Sequence, residues 1–205
     1  MTLKAIAFNG TLKSSGGDPS STDRVLGLIA DGLKKHGIDT EVIRLADHNI
    51  LPGVTSDEGE GDAWPAIREK VLDADILLVG TPIWMGQTSS VTKRALERMD
   101  AFLSETDDQG RMVSYGRVAA VAVVGNEDGA HNVSADVHQA LNDVGFTIPA
   151  NDVAYWVGEA MGSTNFVDLK AVPDAVTTMV DTLVRNTVHL AGLLKTSQYP
   201  GEEKD

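Results

Sequence analysis

The chain predicts an α/β fold: a three-layer sandwich with a five-stranded parallel sheet, strand order 2-1-3-4-5, and helices on both faces. Three observations carry this expectation. Apolar runs of strand length alternate with segments of helical period along most of the chain, and a β-α-β-α order implies a parallel sheet covered on both sides. The run Val118-Ala119-Ala120-Val121-Ala122-Val123-Val124 is continuous, as a strand buried on both faces requires. The first strand leads into Asn9-Gly10-Thr11-Leu12-Lys13-Ser14. That is neither the G-x-G-x-x-G turn of the six-stranded dinucleotide-binding sheet nor a Walker A loop, so the five-stranded order is preferred.

The elements follow in order. Residues 3–8 form a short apolar first strand. Residues 21–36 place Val25, Leu26, Ile29 and Leu33 on one helical face. Ser20, with Asp23 three residues later, resembles a capping box at the start of that helix, and His36-Gly37 closes it. Residues 40–45 alternate in polarity and predict a second strand at a sheet edge. Residues 47–61 are polar, acidic and Gly-rich, which predicts a loop with little regular structure. A short helix spans 64–73, with Pro65 tolerated in its first turn.

Ile76 to Gly80 is the third strand, ending in the Pro- and Gly-punctuated loop Thr81-Pro82-Ile83-Trp84-Met85-Gly86-Gln87. Val91, Ala95, Met99 and Phe102 mark a third helix over 89–102. After the fourth strand, Val133, Val137, Leu141 and Val144 mark a fourth helix that Gly145 ends. Residues 146–148 and 153–157 together predict a split or kinked last strand. Val176, Val180, Leu183, Thr187, Leu190 and Leu194 give a long C-terminal helix. One domain over 1–195 is expected, followed by a flexible tail over 196–205.

Composition removes several classes of function. The length of 205 residues suits one domain. The net charge of −13 argues against a nucleic-acid surface, which needs clustered Lys and Arg. Cys is absent, so disulfides, thiolate catalysis and Cys-ligated clusters are excluded. No apolar run reaches the length of a membrane span, so no membrane insertion is expected. The N-terminus enters a strand without the basic and apolar regions of a secretory signal, and a cytoplasmic location is expected. His131 and His138 are seven residues apart but have no third ligand at a fitting spacing, and Asp57-Glu58-Gly59-Glu60-Gly61-Asp62 reads as a solvated loop. No metal site is expected.

In a parallel sheet the loops after strands one, three and four meet at one edge, where ligands bind. The first, over 9–22, carries Thr11, Ser14, Ser15, Gly16, Gly17, Ser20, Ser21 and Thr22 with one cation, Lys13. Hydroxyls, a helix N-terminus and a Lys suit a terminal phosphate; the same residues also suit a flexible loop with an N-cap. The second loop offers Trp84 as an apolar face for a flat ligand, or a tight turn around a half-buried Trp. The third, Gly125-Asn126-Glu127-Asp128-Gly129-Ala130-His131-Asn132, lets backbone approach a flat ligand at its glycines, or caps the fourth helix from His131 or Asn132 with Glu127-Asp128 as a solvated turn. Tyr155, Trp156 and Met161 follow the last strand near the same edge, as a lid, an interface or core.

These residues resemble the NADPH-dependent FMN reductases of the flavodoxin-like fold over approximately residues 3–194. The strongest part is Gly80-Thr81-Pro82-Ile83-Trp84-Met85-Gly86, followed by Ser89-Ser90-Val91-Thr92-Lys93-Arg94-Ala95-Leu96-Glu97-Arg98, which is similar to the family's T-P-x-[YW]-x-G element and the helix after it. Thr11 and Lys13 stand where the family's G-[ST]-x-[RK] phosphate loop has its hydroxyl and cation, and Gly16-Gly17-Asp18-Pro19 lengthens that loop relative to shorter family versions. The stretch 125–131 resembles the third flavin loop of one branch.

The resemblance implies FMN as cofactor and NAD(P)H as co-substrate, with electrons passed to a quinone, a flavin or a similar small-molecule acceptor. It implies that Thr11, Lys13, Ser20, Ser21 and Thr22 hold the phosphate, that Pro82, Ile83, Trp84, Met85 and Gly86 line the ring, and that Asn126, Gly129, Ala130 and His131 close its pyrimidine side. His131 is the candidate donor to the charge that gathers on reduced flavin. A homodimer or homotetramer is implied as well. Two alternatives remain at this point: a flavodoxin-type electron carrier that docks redox proteins, and a protein of this fold with a non-catalytic site.

Overall fold

In the computed structural model, which describes residues 2–201, a parallel sheet carries helices on both faces. Its strands are β1 (Ala5–Asn9), β2 (Thr40–Arg44), β3 (Ile76–Trp84), β5 (Val118–Gly125) and β6 (Val153–Val157), in the order β2-β1-β3-β5-β6. The two-residue β4 (Gln87–Thr88) pairs antiparallel with the end of β3. Without β4 this is the predicted 2-1-3-4-5 order.

The period-two alternation of buried strands splits the core in two. Ile6, Phe8, Leu77, Val79, Val121 and Val123 point to the face covered by α2 (Trp64–Asp73), α3 (Ser90–Arg98) and α4 (Ala130–Asp143). Ala5, Ala7, Ile76, Leu78, Ala120 and Ala122 point to the face covered by α1 (Ser21–Lys34) and α5 (Asp174–Thr196). Every residue of β1 is buried. The edge strand β2 buries only Ile43, as its alternating sequence predicts. No described helix is long and apolar enough to cross a membrane.

Three local outcomes differ from the sequence-based expectation. The third strand does not stop at Gly80 but continues through Pro82 to Trp84, where a hairpin turn of Met85 (φ 54°) and Gly86 (φ 72°) leads into β4. Pro82 is tolerated because β1 pairs only as far as Gly80, so beyond it β3 has β5 on one side and needs no N–H on the other. The first half of the split last strand is reduced to one isolated parallel bridge, Thr147 to Val118, and the ladder with β5 begins at Val153. The third helix ends at Arg98 and passes into a 3₁₀ segment, Met99–Ser104.

The loop over 47–63 has no regular element after the 3₁₀ turn Leu45–Asp47, yet it is held from within. The fully buried Arg98 donates to the carbonyls of Leu51 (3.0 Å) and Thr55 (2.9 and 3.1 Å) and pairs with Asp62 at 2.7 Å. A guanidinium inside the loop thus satisfies the carbonyls of Leu51 and Thr55, which have no helix or strand to pair with. Of the expected tail, residues 196–201 are described: Thr196 is the last residue of the C-terminal helix, and Tyr199 hydrogen-bonds Thr147 at 2.9 Å and packs on Tyr115; residues 202–205 lie outside the described residues.

Candidate functional site

A cleft of about 530 Å³ opens at the C-terminal edge of the sheet, within the range of small-molecule sites of ~300–1,000 Å³. The loops after β1 and β5 line it together with the end of β3, at the edge where the parallel order gathers them. Thr11, Lys13, Ser20, Ser21 and Thr22 line one end, and Pro82, Ile83, Trp84 and Asn126 are among the residues that line the other. Met85, Gly86, Gly129, Ala130 and His131 do not line it. His131 is exposed in the first turn of α4, its ring centroid 5.2 Å from that of Tyr155 in a T-shaped pair. Ala130 is buried beneath that turn. Helix α4 is capped neither by His131 nor by Asn132: its N-cap is Gly129, whose N–H is received by Asp128 at 2.7 Å.

At the first loop the residues converge on the N-terminus of α1. Ser20 is the N-cap, and its hydroxyl accepts the Asp23 N–H at 3.4 Å. The reciprocal half of the expected capping box does not form. The Asp23 carboxylate accepts from the Asn9 amide and from Arg44. Among the described residues the N–H groups of Ser21 and Thr22 have no hydrogen-bond partner, so two donors of the first turn point outward. Lys13 turns back on the same end, its Nζ 3.0 Å from the Pro19 carbonyl. Ser15 donates its N–H (2.7 Å) and its hydroxyl to Asp47, which holds the Asp47 carboxyl below the usual carboxylate range and ties the loop to the chain beyond β2. Outward N–H groups, hydroxyls and one ammonium have the donor chemistry that suits a phosphate monoester.

At the other end the hairpin after β3 meets the loop after β5. The Glu127 carboxylate accepts the N–H of Met85 (3.0 Å) and of Gly86 (3.1 Å), one oxygen to each. Asn132 adds a bond to the Gly86 carbonyl at 3.1 Å. The residue read as part of a solvated turn is therefore the one that fixes the hairpin, and it takes up the backbone donors of Met85 and Gly86. Trp84 lines the cleft and is half exposed; Met85 is exposed beside it.

A fourth wall comes from the segment after β6. Successive strand residues point to opposite faces, so Trp156 lines the cleft and packs on Phe166 at 5.5 Å while Tyr155 turns toward His131. Met161, Gly162, Asn165 and Val167 complete the lining. The segment is pinned by Arg24, whose guanidinium donates to the carbonyls of Phe166 (2.6 Å), Val167 (3.1 Å) and Leu169 (2.8 Å) and lies over the Phe166 ring. Asn126 ties the third loop to the same segment by donating to the Gly162 carbonyl at 3.1 Å, while its own Oδ1 is buried with no donor. The sequence marks Trp156 and Met161 near this edge; Asn165, Val167, Arg24 and Arg44 carry no motif that singles them out. Among the described residues no group of three or more His, Asp or Glu side chains stands together as a metal site requires.

The chemistry of these walls fits a flavin mononucleotide: donors suited to a phosphate monoester at one end, and two indole rings, Ile83 and Pro82 along the rest. The family described as NADPH-dependent FMN reductase matches residues 3–162. The 8-demethyl-8-aminoriboflavin-5'-phosphate synthase of Streptomyces davaonensis is 33% identical over 212 residues, which cover 97% of this chain and 81% of that protein. A divalent metal cation transporter MntH of Mycobacterium bovis is 38% identical over 170 residues; these cover 81% of this chain, which spans only 25% of that longer protein. The solved structure of RosB with bound intermediate 8-demethyl-8-formylriboflavin-5'-phosphate superposes with a TM-score of 0.85 at 30% identity, over 97% of this chain and 82% of that one. A flavodoxin from the domain Archaea, at 12% identity and a TM-score of 0.57 over 92% of this chain and 99% of its own, shares the fold alone.

Proposed function

The chain belongs to the NADPH-dependent FMN reductase family, and on that premise we propose that it is an FMN-dependent oxidoreductase that takes hydride from NAD(P)H and passes electrons to a quinone, a flavin or a similar small acceptor. The observation that carries this reading is the cleft itself, in which a monoester receptor and two Trp side chains share one cavity. When bound, FMN supplies the two-electron chemistry. Thr11, Lys13, Ser20, Ser21, Thr22 and the first turn of α1 hold its phosphate. Pro82, Ile83, Trp84 and Trp156 supply apolar faces that exclude water from the ring. Glu127, Gly86 and Gly129 shape the wall that carries Trp84. His131, outside the cleft, has no role in hydride transfer in this reading. A homodimer or homotetramer would cover the exposed Trp84, Met85 and Met161 side chains.

A second reading is favoured by the relatives. The synthase of Streptomyces davaonensis is named for a modified riboflavin 5'-phosphate, and RosB was solved with another. The same cleft would then hold FMN as substrate and not as resident cofactor.

One experiment separates these readings. The purified protein is incubated with FMN and desalted, its visible spectrum is taken before and after anaerobic NADPH and then NADH, and the flavin mass is measured after aerobic incubation. Retained flavin that bleaches and keeps its mass supports the oxidoreductase. A changed flavin mass supports the second reading. Retained flavin that neither nicotinamide reduces supports an electron carrier. A protein that retains no flavin overturns the first reading.

A further inference from the structure

The first turn of α1 contains one acidic residue, Asp23. A carboxylate there suits the helix dipole when the helix stands alone, but it competes with any anion bound at the same N-terminus. In this chain the charge is met from another strand. Arg44, the last residue of β2 and largely buried, pairs its guanidinium with the Asp23 carboxylate. The same guanidinium donates to the Lys13 carbonyl at 3.0 Å. The second Asp23 oxygen accepts from the amide of Asn9, which is fully buried at the end of β1, and Asn9 in turn accepts the Thr11 N–H at 3.0 Å. One network thus joins the start of the loop, at Thr11 and Lys13, to its end in α1.

We propose that Arg44 is a positioning residue for the phosphate end of the cleft: it cancels the Asp23 charge, so that the α1 N-terminus receives a phosphate monoester, and it holds the loop that carries Thr11 and Lys13. The proposal rests on the reading that FMN binds with its phosphate at this end. It assigns to Arg44 no contact with the flavin. Without Arg44, Asp23 stands uncompensated beside the monoester, and like charges at short range in a partly desolvated site repel strongly. Asp23 is partly exposed, so solvent and salt screen part of that repulsion.

The test is flavin affinity, read by quenching of flavin fluorescence, for FMN and for riboflavin, which lacks the phosphate. The proteins are the wild type, Arg44→Met, Asp23→Asn and the double variant Asp23→Asn/Arg44→Met. The wild type should bind FMN more tightly than riboflavin. Arg44→Met should weaken FMN about tenfold, by the charge argument above, and leave riboflavin within about twofold. Asp23→Asn should bind FMN at least as well as the wild type, and in the double variant the lost carboxylate should restore FMN affinity to within about threefold of wild type. Equal weakening of both flavins by Arg44→Met, or a double variant as weak as Arg44→Met, overturns the charge-cancelling role. Asp23→Asn is the safeguard if Arg44→Met does not fold, because loss of FMN affinity in that single variant contradicts the proposal by itself. A wild type that binds both flavins equally overturns the phosphate assignment, and Arg44's role with it.

Discussion

Gly129 and Gly86 meet backbone to backbone: a Cβ placed on Gly129 would lie 2.9 Å from the Gly86 Cα. Gly86 is the second residue of the hairpin turn after β3, and Gly129 is the N-cap of α4. This contact sets how close the loop after β5 comes to the wall that carries Trp84. Gly129 also has φ 128°, which an L side chain rarely adopts. Gly129→Ala should therefore destabilise the protein by at least about 1–3 kcal/mol, since strained backbone and overpacking each cost that much. Chemical denaturation reads the change as a shift in midpoint, and an unchanged midpoint would show that the contact yields freely.

Glu127 closes the same wall by a different means. Its two oxygens receive the N–H groups of Met85 and Gly86, and bonds to a charged acceptor contribute about 1.5–3 kcal/mol. Glu127→Ala should open the turn locally, with faster hydrogen exchange at Met85 and Gly86 than at Ala119 and Ala120 in β5. Glu127→Gln, which keeps one acceptor oxygen, should fall between the wild type and Glu127→Ala. Equal exchange in all three proteins would remove Glu127 from the hairpin's support.

The buried pair Arg98–Asp62 links stability to acid. Burial opposes the Asp62 charge, but the N–H groups of Glu58 (3.0 Å), Trp64 (3.1 Å) and Leu51 (3.2 Å), together with Arg98, outweigh it and hold the carboxyl down at about 2. The folded value lies below the ordinary one of 3.8. The contribution is therefore fully present above about pH 4 and is lost as pH falls toward 2. Arg98→Met leaves Asp62 buried without its cation and should cost about 3–5 kcal/mol. Thermal melting at neutral pH checks the variant. Asp62→Asn should flatten the acid limb of the stability curve between about pH 4 and pH 2, and a limb as steep as the wild type's would contradict the assignment.

At the phosphate end, Thr11→Ala with Lys13→Ala should weaken FMN by a few kcal/mol, because charge-assisted bonds contribute about 1.5–3 kcal/mol each. Riboflavin affinity should stay nearly unchanged, since it has no phosphate to lose. Titration by fluorescence quenching gives both constants, and an unaltered FMN constant would remove these residues from the phosphate site.

Much of this architecture is legible along the chain. The Val and Ala run of β5, the Val25-Leu26-Ile29-Leu33 face of α1 and the long apolar face of α5 each settle into the expected layer, because burial follows local periodicity. The strand order then brings the loops after β1 and β5 together with the end of β3, so Thr11, Lys13, Ser20, Thr22, Pro82, Trp84 and Asn126 share one cleft. The hairpin is less legible. Pro82 and Gly86 mark a turn in any sequence, and only the missing β1 neighbour beyond Gly80 lets a Pro remain in the strand. Glu127 is less legible still: a carboxylate next to Asp128 and Gly129 has the composition of a solvated turn, and its role depends on a hairpin 41 and 42 residues away in sequence.

The sequence alone determined the layers, the direction of the strands and the edge at which the loops gather, because hydrophobic period and element order are local properties that survive without coordinates. The tertiary structure decided which polar groups meet. Asp23 turns from its own helix cap to Asn9 and Arg44, Arg98 gathers a loop that has no periodicity, and Arg24 fastens the fourth wall from more than 140 residues away. A hydrogen bond or ion pair requires its donor and acceptor to come within about 3 Å at a fitting angle. Spacing along the chain does not encode that condition when the partners arrive from separate elements.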